Sequence, residues 1–147
     1  MKKLLYSFLL LSSVTLFAQK NASTKFAVAD DIVGTVDMFT ANHKTAIQNT
    51  QTYKSAAELP QNLKKYSFIA ENGLVVYKLK SDEGAIDRIP LSELNVHYGL
   101  AKDTPVFIDG YEFKNSDTKV FGDILNKMEV IDNHGAKAVS ITTAIKK

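Results

Sequence analysis

Pro105-Val106-Phe107-Ile108-Asp109-Gly110-Tyr111-Glu112-Phe113 is the stretch that decides the fold. Pro105 to Ile108 is a β-rich run that stops at Asp109-Gly110, a dipeptide suited to the positive φ angles of a tight turn. Tyr111 to Phe113 is then the return strand. Downstream, Asp117 or Thr118 is placed to cap a short helix whose core face is Val120, Phe121, Ile124 and Leu125. A second hairpin follows, with a strand over Lys127 to Ile131, a turn over Asp132 to Gly135 and a last strand over Lys137 to Thr143. In that strand Val139, Ile141 and Thr143 alternate with Ser140 and Thr142. Residues 104–143 therefore read as hairpin, helix, hairpin.

Working upstream, Pro90 to Tyr98 reads as a short helix. Leu91, Leu94 and Tyr98 share one face, Gly99 ends the helix in the left-handed conformation, and Leu100 folds back over the last turn. Tyr66 to Glu71 and Leu74 to Lys80 read as two strands joined by Asn72-Gly73. In the second, Val75, Tyr77 and Leu79 point one way and Val76, Lys78 and Lys80 the other. Ser81 to Gly84 is a polar turn, and Ala85 to Ile89 a short strand. Gly73, Gly99, Asp109, Gly110 and Gly135 are the turn residues on which this reading depends. It gives an α+β fold: a small, mainly antiparallel or mixed sheet with two or three short helices.

The N-terminal part is patterned differently. From Ala29 to about Thr50, Ile32, Val36, Phe39, Ala46 and Ile47 recur at helical spacing, interrupted at Gly34-Thr35 and Asn42-His43. An interrupted helix is predicted there; a partly ordered linker rich in Thr, Asn and Gln is the alternative. Gln19 to Lys25 is small and polar and reads as a disordered leader (Asn21-Ala22-Ser23 matches a glycosylation sequon). No internal repeat and no low-complexity tract is evident.

Met1 to Gln19 has the order of a secretory signal. Lys2 and Lys3 form the positive region, Leu4 to Phe17 is apolar apart from Ser and Thr, and Ala18 is the small residue at the cleavage point. The apolar run is short for a membrane helix, which needs about 20 residues. The organisation predicted is a signal peptide over 1–18, a polar leader with a helical segment over 19–54, and an α+β domain over 55–147. There are no cysteines, hence no disulfide and no thioether-linked lipid. The predicted location is the periplasm or the cell exterior.

Export also changes the charge. Lys2 and Lys3 leave with the signal, so 16 of the 18 basic residues remain against 16 acidic ones. A neutral chain with scattered lysines lacks the cationic face that nucleic acid binding needs. Arg88 is the only arginine, which argues against a phosphate site built on paired guanidinium forks.

The motifs Pro105-Val106-Phe107-Ile108-Asp109-Gly110, Lys127-Met128-Glu129-Val130-Ile131 and Gly135-Ala136-Lys137-Ala138-Val139-Ser140-Ile141-Thr142-Thr143 resemble the plug domain of TonB-dependent outer-membrane transporters, in the form common among Bacteroidetes. The resemblance covers about the last 40 residues and implies a plug-like unit. The family's longer loop between the last two strands is replaced by Asp132 to Lys137, and no barrel sequence follows in this chain. The plug has no catalytic residue to transfer.

No catalytic or metal signature stands out. His43, His97 and His134 fall in separate segments without ligand spacing. Asp30-Asp31 reads as an acidic pair favouring a helix N-terminus, and Asp82-Glu83 as a solvated turn. Ser67, Ser92 and Ser140 lack a nucleophile-elbow sequence. No cofactor is implied. Tyr66, Phe68, Tyr77, Phe107, Tyr111 and Phe113 could form an exposed aromatic row, or could simply pack a small core.

Three functions are open. The first is a non-enzymatic envelope or secreted binding module that meets a protein partner through a sheet edge or aromatic face. The second is a small-ligand or glycan-binding domain, and the third a hydrolase of unknown type. A long unpaired strand edge or apolar patch would mark the first; an apolar pocket of about 300 Å³ or more with convergent polar groups would mark the second. Mass spectrometry of the exported protein tests the first step: the mature chain is expected to begin at Gln19, and a chain retaining residues 1–17 would contradict it.

Overall fold

Phe26 to Thr35 forms a β-hairpin in the computed structural model, which describes residues 20–81 and 86–143. The signal segment with Ala18 and Gln19, and the Asp82-Glu83 pair, lie outside the described residues. β1 (Phe26–Ala29) and β2 (Ile32–Thr35) pair antiparallel, and every residue of both is buried. Asp30 and Asp31 form the turn, with φ of 53° and 61°. These strands replace the first part of the helix expected over 29–50, and Asp30-Asp31 turns a hairpin instead of opening a helix. Strands buried on both faces carry continuous apolar runs rather than alternation. Ile32, Val36 and Phe39 mimic helical spacing because β2 runs straight into α1 (Val36–Asn42).

Thr35 starts that helix by accepting a hydrogen bond from the Met38 N–H at 3.2 Å. Gly34 lets the helix close onto the strand. A Cβ there would lie 2.7 Å from Met38 Sδ and 3.0 Å from the Phe121 ring. A 3₁₀ turn (Lys44–Ala46) leads into β3 (Ile47–Tyr53). Residues 26–53 thus belong to the sheet, and the expected boundary near residue 54 cuts between paired strands. Part of the expected leader is docked as well: the Asn21 N–H donates to the Asp109 carbonyl at 2.8 Å.

The next connection, residues 54–73, holds two 3₁₀ segments, Ala56–Glu58 and Gln61–Ile69. The strand expected over 66–71 does not form. Leu63, Tyr66 and Ile69 are buried at a spacing of three, the repeat that a 3₁₀ helix places on one face. Asn72-Gly73 still reverses the chain, with Gly73 at φ 92°. It leads into β4 (Leu74–Leu79), which pairs antiparallel with β3 and parallel with β1.

β5 (Arg88–Pro90) runs into α2 (Leu91–His97), as the sequence indicates. Gly99 has φ 74°. Its N–H donates to the Val96 carbonyl at 3.0 Å and that of Leu100 to Asn95 at 2.8 Å, the paired bonds of a Schellman stop. β6 (Val106–Ile108) and β7 (Tyr111–Phe113) form the expected hairpin, with Asp109 at φ 50° and Gly110 at φ 84°. The helix expected after Asp117 is instead β8 (Lys119–Phe121) and one 3₁₀ turn, Gly122–Ile124. β8 lies between β2 and β5, so Val120 and Phe121 are both buried and neither face is free to be a helix's polar side. β9 (Lys127–Asn133) and β10 (Ala136–Thr142) close the chain around His134-Gly135, at φ 53° and 89°.

Among the described residues the result is an α+β fold with two mixed sheets. One has six strands in the order β3-β4-β1-β2-β8-β5, the other four in the order β7-β6-β10-β9. The order β2-β1-β4-β3 in the first repeats β7-β6-β10-β9 in the second. In each, an antiparallel hairpin is joined in parallel to one strand of a second antiparallel pair. The chain therefore contains two topologically equivalent units that its sequence does not reveal.

One hydrophobic core spans both units. Phe26, Phe39, Leu74, Phe113, Phe121, Ile124, Val139 and Ile141 belong to it, with Leu125 packed against it. Phe107 instead joins Ile131 and Ala138 in a separate small cluster, and Val130 is 39% exposed, so neither belongs to this core. Phe107 points to the opposite face of the four-stranded sheet from Ile108 and Val139, as strand alternation requires, whereas Val130 pairs directly with Val139 and shares its face but stands on the edge strand β9.

Asp109 joins the units. Its carboxylate accepts from the Thr24 hydroxyl (2.7 Å), the Thr143 N–H (2.9 Å) and the Thr143 hydroxyl (2.5 Å). Charge-assisted bonds to a buried acceptor contribute more than neutral ones. Asp109→Ala is expected to lower stability by about 3 kcal/mol, and Asp109→Asn by about 1 kcal/mol. Urea melts check both, and an unchanged Asp109→Ala midpoint would remove this joint from the account.

Candidate functional site

The turn residues Gly73, Gly99, Gly110 and Gly135 shape the backbone at separate places and do not converge on a site. The histidines are equally dispersed. His43 Nε2 lies 2.6 Å from Asp123 Oδ2, His97 packs edge-on against Tyr98, and His134 sits in the β9–β10 turn. Among the described residues no group of His, Cys, Asp and Glu is placed to hold a metal. Of the six aromatic residues considered, Tyr66, Tyr77, Phe107, Tyr111 and Phe113 are buried and only Phe68 is exposed, at 40%. They form no exposed row.

Two surface features remain. The first is the edge formed by β3, Ile47-Gln48-Asn49-Thr50-Gln51-Thr52-Tyr53. Among the described residues it is the outer strand of the six-stranded sheet, paired on one side only, and its five middle residues are exposed. It carries no charge and no proline, the usual means of protecting an edge. Its only irregularity is a register shift between Ile47 and Asn49, and the Asn49 side chain accepts from the Thr50 N–H at 2.8 Å. The other long edge strand, β9, carries Lys127, Glu129 and Asp132. The sequence reading missed β3 because polar Gln, Asn and Thr resemble a linker; the Thr residues and the absence of charge were the available signal.

The second feature is a cleft of about 620 Å³ beside the Asp30-Asp31 turn. Lys65, Tyr66 and Phe68 from the 3₁₀ segment line one side. Glu112 on β7, Lys114, Asn115 and Arg88 on β5 line the cleft as well. Asp31 anchors the first wall: the Tyr66 hydroxyl donates to its Oδ1 at 3.3 Å, and Lys65 Nζ lies 3.1 Å away. The Lys65 pair is largely exposed and adds little stability. The Phe68 ring meets the Phe113 ring nearly perpendicularly, with centroids 4.9 Å apart. The sequence supplied Asp30, Asp31, Tyr66 and Phe68 as separate candidates; only the fold brings them together.

Compared with family models, with characterised proteins and with solved structures, the chain matches none.

Burial, then the nearby Asp31 carboxylate and its hydrogen bond, hold the Tyr66 phenol well above the ordinary value of 10.0. Burial raises Tyr77 too, and is the first cause of a rise at Tyr111. The unfolded chain releases these protons near pH 10, while the folded chain retains them. Their contribution to stability is therefore full below about pH 10 and is lost as the pH rises toward the folded-state values. The melting midpoint is expected to fall between about pH 9 and about pH 11, and to fall less in Tyr66→Phe. Thermal melts of both proteins test this; identical alkaline slopes would contradict the placement of Tyr66.

Proposed function

We propose that this chain is an exported, non-enzymatic binding module that takes an extended segment of an envelope protein partner along β3. The β3 edge carries the proposal. A strand of seven residues with one unpaired side offers a partner a row of backbone donors and acceptors. Strand addition to such an edge draws its affinity from main-chain hydrogen bonds and its specificity from alternate side chains. The absence of charge on β3 leaves nothing to repel an incoming strand, whereas the charged β9 edge resists one. Export rests on the signal-like order of residues 1–19.

The kinship of residues 105–143 to a transporter plug is part of the same proposal. It rests on the sequence motifs of β6, β9 and β10, while β8 and one 3₁₀ turn stand where the plug-like unit would carry a helix. It fits a partner-binding role, since a plug-like unit brings no catalytic group of its own.

Capture from envelope extract tests the edge when paired with a variant that blocks it. Thr50→Pro removes a backbone donor from an exposed strand that has no neighbour on one side. The mature protein is expected to retain a partner whose binding slows amide exchange in β3, and Thr50→Pro is expected to lose that partner while keeping its melting midpoint within a few degrees. Capture that survives Thr50→Pro, or protection that appears on β9 instead, would refute the proposal.

A further inference from the structure

The two units differ most in how they join their second strand pair. The four-stranded sheet connects β9 to β10 through His134-Gly135 alone, while the six-stranded sheet connects β3 to β4 through residues 54–73. The longer connection places Lys65, Tyr66 and Phe68 against the Asp30-Asp31 turn and builds one wall of the cleft. Glu112, on β7 of the other unit, lines the cleft as well. The cleft thus lies where two units meet, a common place for ligand sites, and its volume of about 620 Å³ suits a small ligand.

The lining narrows the ligand's chemistry. Phe68 presents a partly exposed ring held in place by Phe113. Around it stand acceptors, the carboxylates of Asp30 and Glu112, and donors, the cationic groups of Arg88 and Lys114. The Asn115 amide does both. An anion such as phosphate would use the donors and be repelled by the carboxylates. A metal ion would use the carboxylates and be repelled by the cations. A sugar hydroxyl both donates and accepts, so it uses the whole set, and the C–H face of a pyranose ring matches an exposed aromatic ring. We propose that this cleft binds a neutral oligosaccharide. The site is separate from the β3 edge and does not depend on the role given to that edge.

Titration of the isotope-labelled mature protein with maltotriose, cellotriose, xylotriose and tri-N-acetylchitotriose, followed by amide NMR, tests the site. Inorganic phosphate and a mixed-charge decapeptide serve as competing chemistries. At least one trisaccharide is expected to give saturable shifts confined to residues 30–32, 65–68 and 112–119, leaving β3 unmoved. Phe68→Ala is expected to weaken that binding about tenfold. Because Phe68 also packs on Phe113, Arg88→Met provides a second variant that removes the donors of Arg88 while keeping its apolar stem, and is likewise expected to weaken binding. The proposal is overturned by the absence of saturable shifts with all four sugars, by shifts elsewhere, by unchanged affinity in both variants, or by preferential binding of phosphate or peptide.

Discussion

The carboxylate of Asp109 sits where three parts of the chain meet. It lies in the β6–β7 turn, takes hydrogen bonds from Thr24 just before β1, and takes two more from Thr143 just after β10. Its own N–H donates to the Ile141 carbonyl and its carbonyl accepts from the Asn21 N–H, both at 2.8 Å. A charged group only 7% exposed is tolerated because these donors replace its water. Two residues beyond Thr24, Phe26 meets Tyr111 and Phe113 edge-on, with centroids 5.1 Å and 5.9 Å apart. The polar joint and the aromatic contacts act on the same short stretch, and together they bring β1 of one sheet against the hairpin of the other.

This joint orders the rest of the molecule. With β1 held, the first unit assembles on it: β2 by the hairpin, β4 in parallel, and β3 outermost. The outer position leaves β3 without a second neighbour among the described residues, so its open edge is a consequence of strand order. The same arrangement brings the Asp30-Asp31 turn beside β7 and opens the cleft between the units. Asp30 and Asp31 are non-glycine residues in the left-handed region, a conformation that costs roughly 1 kcal/mol or more. At Asp31 the bonds to Tyr66 and Lys65 offset part of that cost and seat the inserted 3₁₀ segment.

The C-terminal hairpins were legible because each announces itself with a glycine turn: Asp109-Gly110 and His134-Gly135 both sit between β-rich runs. α2 was legible for a similar reason, with Pro90 at its start and Gly99 beyond its end. The first hairpin was hidden because Asp30-Asp31 contains no glycine and its strands, buried on both faces, do not alternate. Residues 66–71 looked like a strand by composition, and only the spacing of Leu63, Tyr66 and Ile69 distinguishes the 3₁₀ segment that forms. β8 was read as a helix because Val120, Phe121, Ile124 and Leu125 fit a helical face equally well. The candidate sites were less legible still, since β3 as an edge and the cleft as a cavity both arise from strand order, which depends on pairing between residues far apart in the chain.

The central claim is that β1 and β2 are an integral part of one core whose two units are joined through Asp109, and not a leader attached to a C-terminal domain. Native-state hydrogen exchange measures this directly. Amides of β1 and β2 are expected to exchange only through the same global opening as those of β6 and β10, with equal free energies. Exchange of β1 and β2 through a separate, low-energy opening, while β6 and β10 stay protected, would contradict it.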